Sequence, residues 1–524
     1  MLERLGTYLV LDTIPSVRWF LPEILIFVTF SLAVLADFTT DRRGSLRSAW
    51  VALAGLVATF VATIAMMGAS LPQGAGALLL FQGAVAFDPL SNFFKLLFLV
   101  ATILVLLLVV TGRDYGVRRM GEFFSLLMCV VGGLFLMASS TNLLMLYLSL
   151  EMVSYLSYVL VGYVKEDLRA SEAGLKYVLF GSVSSGAMIF GLSILYGLTG
   201  ELNLLRLGPA LAATSGAEPA ILVAGFLILA GVGYKIAAVP FHFWCPDVYE
   251  GAATPLTAFL SVAPKAAGFA MLARISLHVF GTIPGGALER IDWPAVIAVL
   301  SALTMTVGNV IAVQQSNIKR MLAYSSIAHA GYLLMGLASV DPATGTLSRG
   351  GLFGVLFYLG VYLFMNLGAF AVVIALREKV GNEEEIEAYR GIGPRAPLLG
   401  VAMAIFLFSL TGIPPFAGFV GKFFLFSAVI EAHLYWLAVI GILNSVISLY
   451  YYARVLKAMF LDRGPEGEAR AAIAGAGGEP GAPALQLGIS HSVLLVVFAG
   501  PTLLLGVFWS PLASLVNRSV GFLF

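Results

Sequence analysis

The 524-residue chain is 60% hydrophobic and only 11% charged, a balance that excludes a water-soluble globular domain of this size and makes lipid its main solvent. Thirty Lys and Arg against 29 Asp and Glu leave a net charge of +1, which excludes the basic field of a nucleic-acid binder. Cys129 and Cys245 stand far apart in apolar settings, without the spacing of a zinc site, an iron–sulfur cluster or a disulfide framework, and read as packing residues.

In chain order, the first apolar run, 19–38, is followed by Asp41, Arg42 and Arg43, which suits a retained helix better than a cleaved leader. Further runs long enough to cross a hydrocarbon core of ~30 Å follow at 48–70, 87–111, 121–139, 141–164, 173–197, 219–241, 253–281, 293–314, 321–339, 350–377, 398–432, 434–460 and 489–513. The predicted fold is all-α and polytopic with about 14 transmembrane helices, because backbone groups in lipid have no other local partner. Residues 1–120 supply N-terminal helices, and 489–524 a last one. Residues 121–281 and 293–460 read as two inverted five-helix repeats with discontinuous helices, broken at Pro240 beside Lys235 and at Pro414 and Pro415 beside Lys422. Residues 464–485, with GAGGEPGAP, read as a disordered Gly/Ala/Pro-rich cytoplasmic linker.

Loop charge alternates with this count. One set of loops holds Arg42, Arg43, Arg47, Arg113, Arg118, Arg119, Lys165, Arg169, Lys176, Lys319, Arg320, Lys379, Arg390, Arg395, Arg454, Lys457, Arg463 and Arg470, whereas the intervening loops hold little beyond Arg206, Arg290 and Arg349. The positive-inside rule makes the basic side cytoplasmic and puts both termini on the far, periplasmic side of a bacterial inner membrane. The loop around Asp247 and Glu250 lacks a basic residue and departs from the pattern.

Five ionisable residues stand deep inside apolar runs: Glu151, Lys235, Lys265, His329 and Lys422. Charges at that depth cost several kcal/mol and mark ion pathways by default; the alternatives are a structural carboxylate, static salt bridges and a hydrogen-bonded packing histidine. Glu151 shares a helical stripe with Ser154, Tyr155 and Tyr158, and is the natural partner for one of the lysines. Desolvation opposes a lysine's charge and a nearby carboxylate favours it, so such a pair can act as a proton switch. His329 has Ser325, Ser326 and Tyr332 within a turn, as a proton relay requires. Lys176, near the cytoplasmic edge, is a candidate group at which protons enter. Lys95, Arg274, His278, Glu431 and His433 read as interfacial anchors. One charge per helix cannot bond directly across a bundle, so Thr304, Thr306, Asn309, Asn366, Asn444 and Ser448 are expected to hold a water chain.

The stretches LYLSLEMVSYLSYVLVGY, KIAAVPFHFWCPDVYEGAATPLTAFLSVAPKAAGFA, NIKRMLAYSSIAHAGYLL and GIPPFAGFVGKFFLF resemble signatures of the antiporter-like subunits of respiratory complex I, most closely subunit N of NADH-quinone oxidoreductase. The resemblance runs from about residue 20 to 512 and implies fourteen helices, with a proton path through Glu151, Lys235, Lys265, His329 and Lys422. It also implies that FMN, iron–sulfur clusters and quinone belong to partner subunits and none to this chain, and that its neighbours are other antiporter-like membrane subunits. The expected function is redox-coupled proton translocation by a translocase subunit that carries no redox centre of its own. A subunit of a multisubunit sodium/proton antiporter is the nearest alternative, and a structural scaffold the third.

Overall fold

The computed structural model describes residues 12–38, 45–68, 77–112, 120–214, 216–279, 292–341, 347–377, 383–462 and 488–521. The 464–485 linker, the loop residues Arg42, Arg43, Arg113, Arg118, Arg119, Arg290, Lys379, Arg463 and Arg470, and both extreme termini lie outside these residues. In chain order the helices are α1 Ile14–Trp19, α2 Leu21–Phe38, α3 Ser45–Met67, α4 Pro89–Gly112, α5 Met120–Ser139, α6 Leu143–Val161, α7 Leu168–Thr199, α8 Leu204–Ala212, α9 Glu218–Ile236 and α10 Trp244–Gly251. There follow α11 Thr254–His278, α12 Trp293–Gln314, α13 Ile318–Ala338, α14 Arg349–Arg377, α15 Ile392–Arg395, α16 Pro397–Thr411, α17 Ala417–Glu431, α18 Tyr435–Phe460, α19 Ile489–Val507 and α20 Ser510–Val520.

Thirteen of these are long and apolar enough to cross a membrane. The run at 398–432 is divided between α16 and α17, each of 15 residues and shorter than a full span. Outside the helices, an antiparallel hairpin pairs β1 (Leu78–Leu80) with β2 (Val85–Phe87), a feature too short to stand out in the sequence. Asn142, Asp167, Asn203, Asp292 and Asn317 begin helices by accepting backbone N–H groups on their side chains, as short polar residues do at helix starts.

The centre of the bundle is α11, whose most apolar stretch is entirely buried, flanked by α13 and α14. Helices apolar on every side belong inside the protein. Around them, α7 packs on α9, α12 on α13, and α14 on α16, α17 and α19, while α2 and α3 pack against α5 and α4 at one end.

Candidate functional site

Two breaks position the lysines. At the first, α9 stops one residue beyond Lys235: Ala237 adopts a left-handed conformation (φ 58°), and Pro240, with no N–H, cannot continue a helix. The freed backbone is caught by Thr304, whose Oγ1 accepts from Val239 N at 3.1 Å, and by Trp244, whose indole donates to the Tyr234 carbonyl at 3.0 Å. At the second, α16 ends on left-handed Gly412 (φ 90°), and Pro414 and Pro415 occupy the gap before α17. A Cβ on Gly412 would lie 2.9 Å from Lys422 Cδ, so glycine serves both the turn and the passage of the lysine stem.

The five deep residues all lie inside the protein, between 2% and 8% exposed. Lys235 Nζ donates to Ser154 Oγ at 3.1 Å, one turn beyond Glu151 on α6. The two residues form no direct ion pair; Glu151 Oε1 is buried with no hydrogen-bond partner, and Ser154 takes the lysine. Lys265 Nζ donates to Ser326 Oγ at 2.6 Å and lies 5.6 Å from the Tyr249 ring centre. His329, one turn along α13 from Ser326, joins Tyr358 Oη at 2.7 Å through Nδ1 and Tyr452 Oη at 3.3 Å through Nε2, and Tyr452 also bonds Ser325. Lys422 Nζ donates to the Thr411 carbonyl at 2.8 Å and to Ser445 Oγ at 3.1 Å, and sits 4.3 Å from the centre of the Tyr332 ring. Tyr332 Oη in turn meets Ser445 Oγ at 3.1 Å.

The arrangement is thus four short hydrogen-bonded pieces: Lys235–Ser154, Lys265–Ser326, His329 with Tyr358, Tyr452 and Ser325, and Lys422 with Ser445 and Tyr332, the last two meeting only where the His329 and Tyr332 rings lie 5.8 Å apart. The stem of Lys235 passes over α11 at Gly268, where a Cβ would lie 3.5 Å from Lys235 Cγ, one turn beyond Lys265. The Tyr249, Tyr362 and Glu151 oxygens around these pieces are buried without a protein partner, and buried polar atoms of that kind are ordinarily satisfied by ordered water.

Comparison with known proteins gives the family. The family model for the membrane part of NADH:quinone oxidoreductase and Mrp antiporters matches residues 140–448, a stretch holding all five residues. NADH-quinone oxidoreductase subunit N of an Anaeromyxobacter species is 46% identical, covering 98% of each chain. The chain belongs to the subunit N family of NADH-quinone oxidoreductase. Subunit N 2 of Sorangium cellulosum is 44% identical over 98% of this chain and 99% of its own. A chain of respiratory complex I from Thermus thermophilus, solved with bound aureothin, superposes with a TM-score of 0.73 at 29% identity, covering 94% of this chain and 98% of that one. A chain of the Mrp complex from Dietzia shares the fold at a TM-score of 0.78 and 21% identity, with 96% and 97% covered.

Within this subunit N framework, Lys176 sits apart from the five, 38% exposed, at a cavity of about 280 Å³ lined also by Arg169, Glu172, Asp247, Glu250 and Arg320. Lys176 pairs with Asp247 at 2.7 Å and Glu172 at 2.8 Å, and Arg320 reaches Asp247 at 2.7 Å and Glu250 at 2.6 Å. Burial pushes the Asp247 carboxyl up, but hydrogen bonds from Lys176 and Arg320 outweigh it and hold the group below the usual carboxylate range. The basic residue missing from the Asp247 loop is therefore supplied by α7 and α13.

Two residues read as interfacial anchors are corrected. Lys95 is 1% exposed and pairs with Glu23 at 2.6 Å; Arg274 is 1% exposed, pairs with Asp88 at 2.8 Å and donates to the Ala138 carbonyl at 2.7 Å. Both stand near the ends of apolar runs, yet distant segments bury them. Of the polar residues expected in a water chain, Asn309, Asn444 and Thr306 bond one another directly, with Tyr451. The tyrosines at 249, 358 and 452 were missed: only proximity to His329 and Lys265 distinguishes them from ordinary aromatic packing.

Proposed function

We propose that this chain is the proton-translocating membrane subunit of an NADH-quinone oxidoreductase and that Glu151, Lys235, Lys265, His329 and Lys422 carry the protons. The observation that carries the reading is that these residues come from α6, α9, α11, α13 and α17 and lie buried, with each lysine and His329 held by serine or tyrosine hydroxyls and with the unpartnered oxygens of Glu151, Tyr249 and Tyr362 beside them. Lysines held by hydroxyls are free to exchange protons with internal water, whereas lysines in tight carboxylate pairs are not. The two broken helices serve as corresponding elements of an inverted repeat. Lys176, at the Asp247 cavity, is the group at which protons enter from the cytoplasm. Electron transfer from NADH to quinone, with FMN and the iron–sulfur clusters, belongs to partner subunits, and other antiporter-like subunits flank this one. The chain resides in the bacterial inner membrane with both termini periplasmic.

The test is the assembled complex carrying Lys235→Ala, reconstituted into vesicles. Proton uptake driven by NADH and quinone is expected to be lost with the subunit complement intact. Wild-type pumping in a fully assembled variant would leave the chain a scaffold. Sodium gradients formed without NADH would favour the antiporter reading.

A further inference from the structure

We propose that the cleft between the start of α14, the end of α17 and the overlying α20 binds the headgroup of a phosphoethanolamine lipid. The cleft has a volume of about 380 Å³ and is lined by Arg349, Phe353, Phe424, Ser427, Glu431 and Asn517, with Gly350 and Ala428, a size within the usual range of roughly 300–1,000 Å³ for small-molecule sites. Its place in the fold is that of a headgroup: Arg349 opens one apolar helix and Glu431 closes another, so both stand where hydrocarbon gives way to polar lipid. α20 buries Val516, Ser519 and Val520 while Asn517 and Arg518 face outward, the build of a helix lying in the membrane surface. Its end descends on the arginine, since a Cβ on Gly521 would lie 3.7 Å from Arg349 Nη2.

Charge decides the occupant. Arg349 and Glu431 are both exposed to the cleft and neither is in an ion pair among the described residues. Glu431 Oε1 accepts from Ser427 at 3.1 Å, and Oε2 lies over Gly350, 3.4 Å from where a Cβ would stand. A cation and an anion on opposite walls call for a ligand with both signs: a phosphate for the guanidinium, which presents a planar fork of donors, and a primary ammonium for the carboxylate. Phosphatidylglycerol lacks the ammonium, and a quaternary choline has no N–H to donate. The floor is apolar, with Phe353 and Phe424 rings edge to face at 4.9 Å. From there Phe423, 58% exposed, and Phe419, 40% exposed, run up α17 towards the bilayer centre, a track on which an acyl chain can lie.

The experiment uses the whole complex, purified in mild detergent, stripped of lipid and exposed to photoactivatable phosphatidylethanolamine, phosphatidylglycerol or phosphatidylcholine, with adducts mapped by peptide mass spectrometry. Phosphatidylethanolamine is expected to label the 349–353 and 419–431 segments more strongly than the other two. Arg349→Ala and Glu431→Gln are each expected to lower that labelling by about tenfold, the size of one charge-assisted hydrogen bond. Glu431→Gln should also raise the phosphatidylglycerol signal, because a carboxylate no longer opposes the anionic headgroup. Equal labelling by all three lipids, or phosphatidylethanolamine labelling unchanged in Arg349→Ala, overturns the proposal; so does a cleft that stays unlabelled because a partner subunit covers it. Both substitutions are at exposed positions, and labelling elsewhere on the chain serves as the control for intact folding.

Discussion

Gly268→Ala asks whether the placement of the Lys235 side chain matters, separately from its charge. The added methyl would fall 2.5 Å from Ile236 Cγ2 and 3.5 Å from Lys235 Cγ. Non-bonded carbons rest at about 3.5–4.0 Å, so the end of α9 must retreat from α11 by about 1 Å. Lys235 Nζ is 3.1 Å from Ser154 Oγ, and that retreat takes it to about 4 Å, beyond hydrogen-bond range. The overpacking itself costs about 1–3 kcal/mol, too little to prevent assembly of a large bundle. The assay is NADH-driven proton uptake in vesicles, with subunit content checked by native electrophoresis. Pumping should fall close to the level of Lys235→Ala. Adding Ile236→Leu, which moves the branch away from Cβ at constant volume, should restore most of it. A single variant that pumps normally, or a double variant as impaired as the single, refutes the reasoning.

Lys422→Glu should retain more pumping than Lys422→Ala, since a carboxylate beside Ser445 can still exchange a proton; equal loss in vesicle assays would show that the donor to the Thr411 carbonyl is what counts. Asp247→Asn should lower the stability of the complex by about 1 kcal/mol, the scale of partly exposed pairs. Because the folded carboxyl titrates below its ordinary value, that contribution is complete above the unfolded value of about 3.9 and is lost only as pH falls through the lower folded one. Melting curves at pH 6, 7 and 8 should therefore show a constant offset, and an offset that changes across this window would contradict the assignment. Glu23→Gln should destabilise by about 3–5 kcal/mol by stranding the Lys95 charge, whereas Glu23→Leu with Lys95→Met should be close to neutral. Thermal unfolding separates these outcomes, and a double variant as unstable as the single would argue against a simple ion pair.

Lys235, Lys265, His329 and Lys422 were legible as buried residues because a charge or an imidazole in the middle of a twenty-residue apolar run has few neighbours that could hide it. The helix that begins at Ala417 was legible in the same way, from two prolines and two glycines in an otherwise continuous run. Depth along a run is a weaker guide than depth in the fold. Lys95 and Arg274 sit near run ends, and what buries them is contact with α2 and with the residue before α4, which no local pattern announces. The relation of Glu151 to Lys235 shows the other limit. Spacing put a carboxylate and a lysine in one bundle, but the one-turn offset that gives the lysine to Ser154 depends on how α6 and α9 pack. The tyrosines around His329 were hidden by composition, since 19 tyrosines and 37 phenylalanines make one more aromatic ring uninformative.

The separation between Lys235 and Lys265 has a consequence for energy conservation. The two side chains cross within one turn of α11, yet each ends on a different serine, on α6 and on α13, and among the described residues no direct hydrogen bond links the two pieces. A continuous wire through the bilayer would discharge the gradient it helps to build, at about 2.3 kcal/mol for every charge that slips back across 100 mV. On the proposed path, with the lysines held on different serines, a proton moving from one to the other has to wait for a side chain to swing or a water to bridge the gap, so tightness against backflow would rest on two small hydroxyls that hold the neighbouring charges apart.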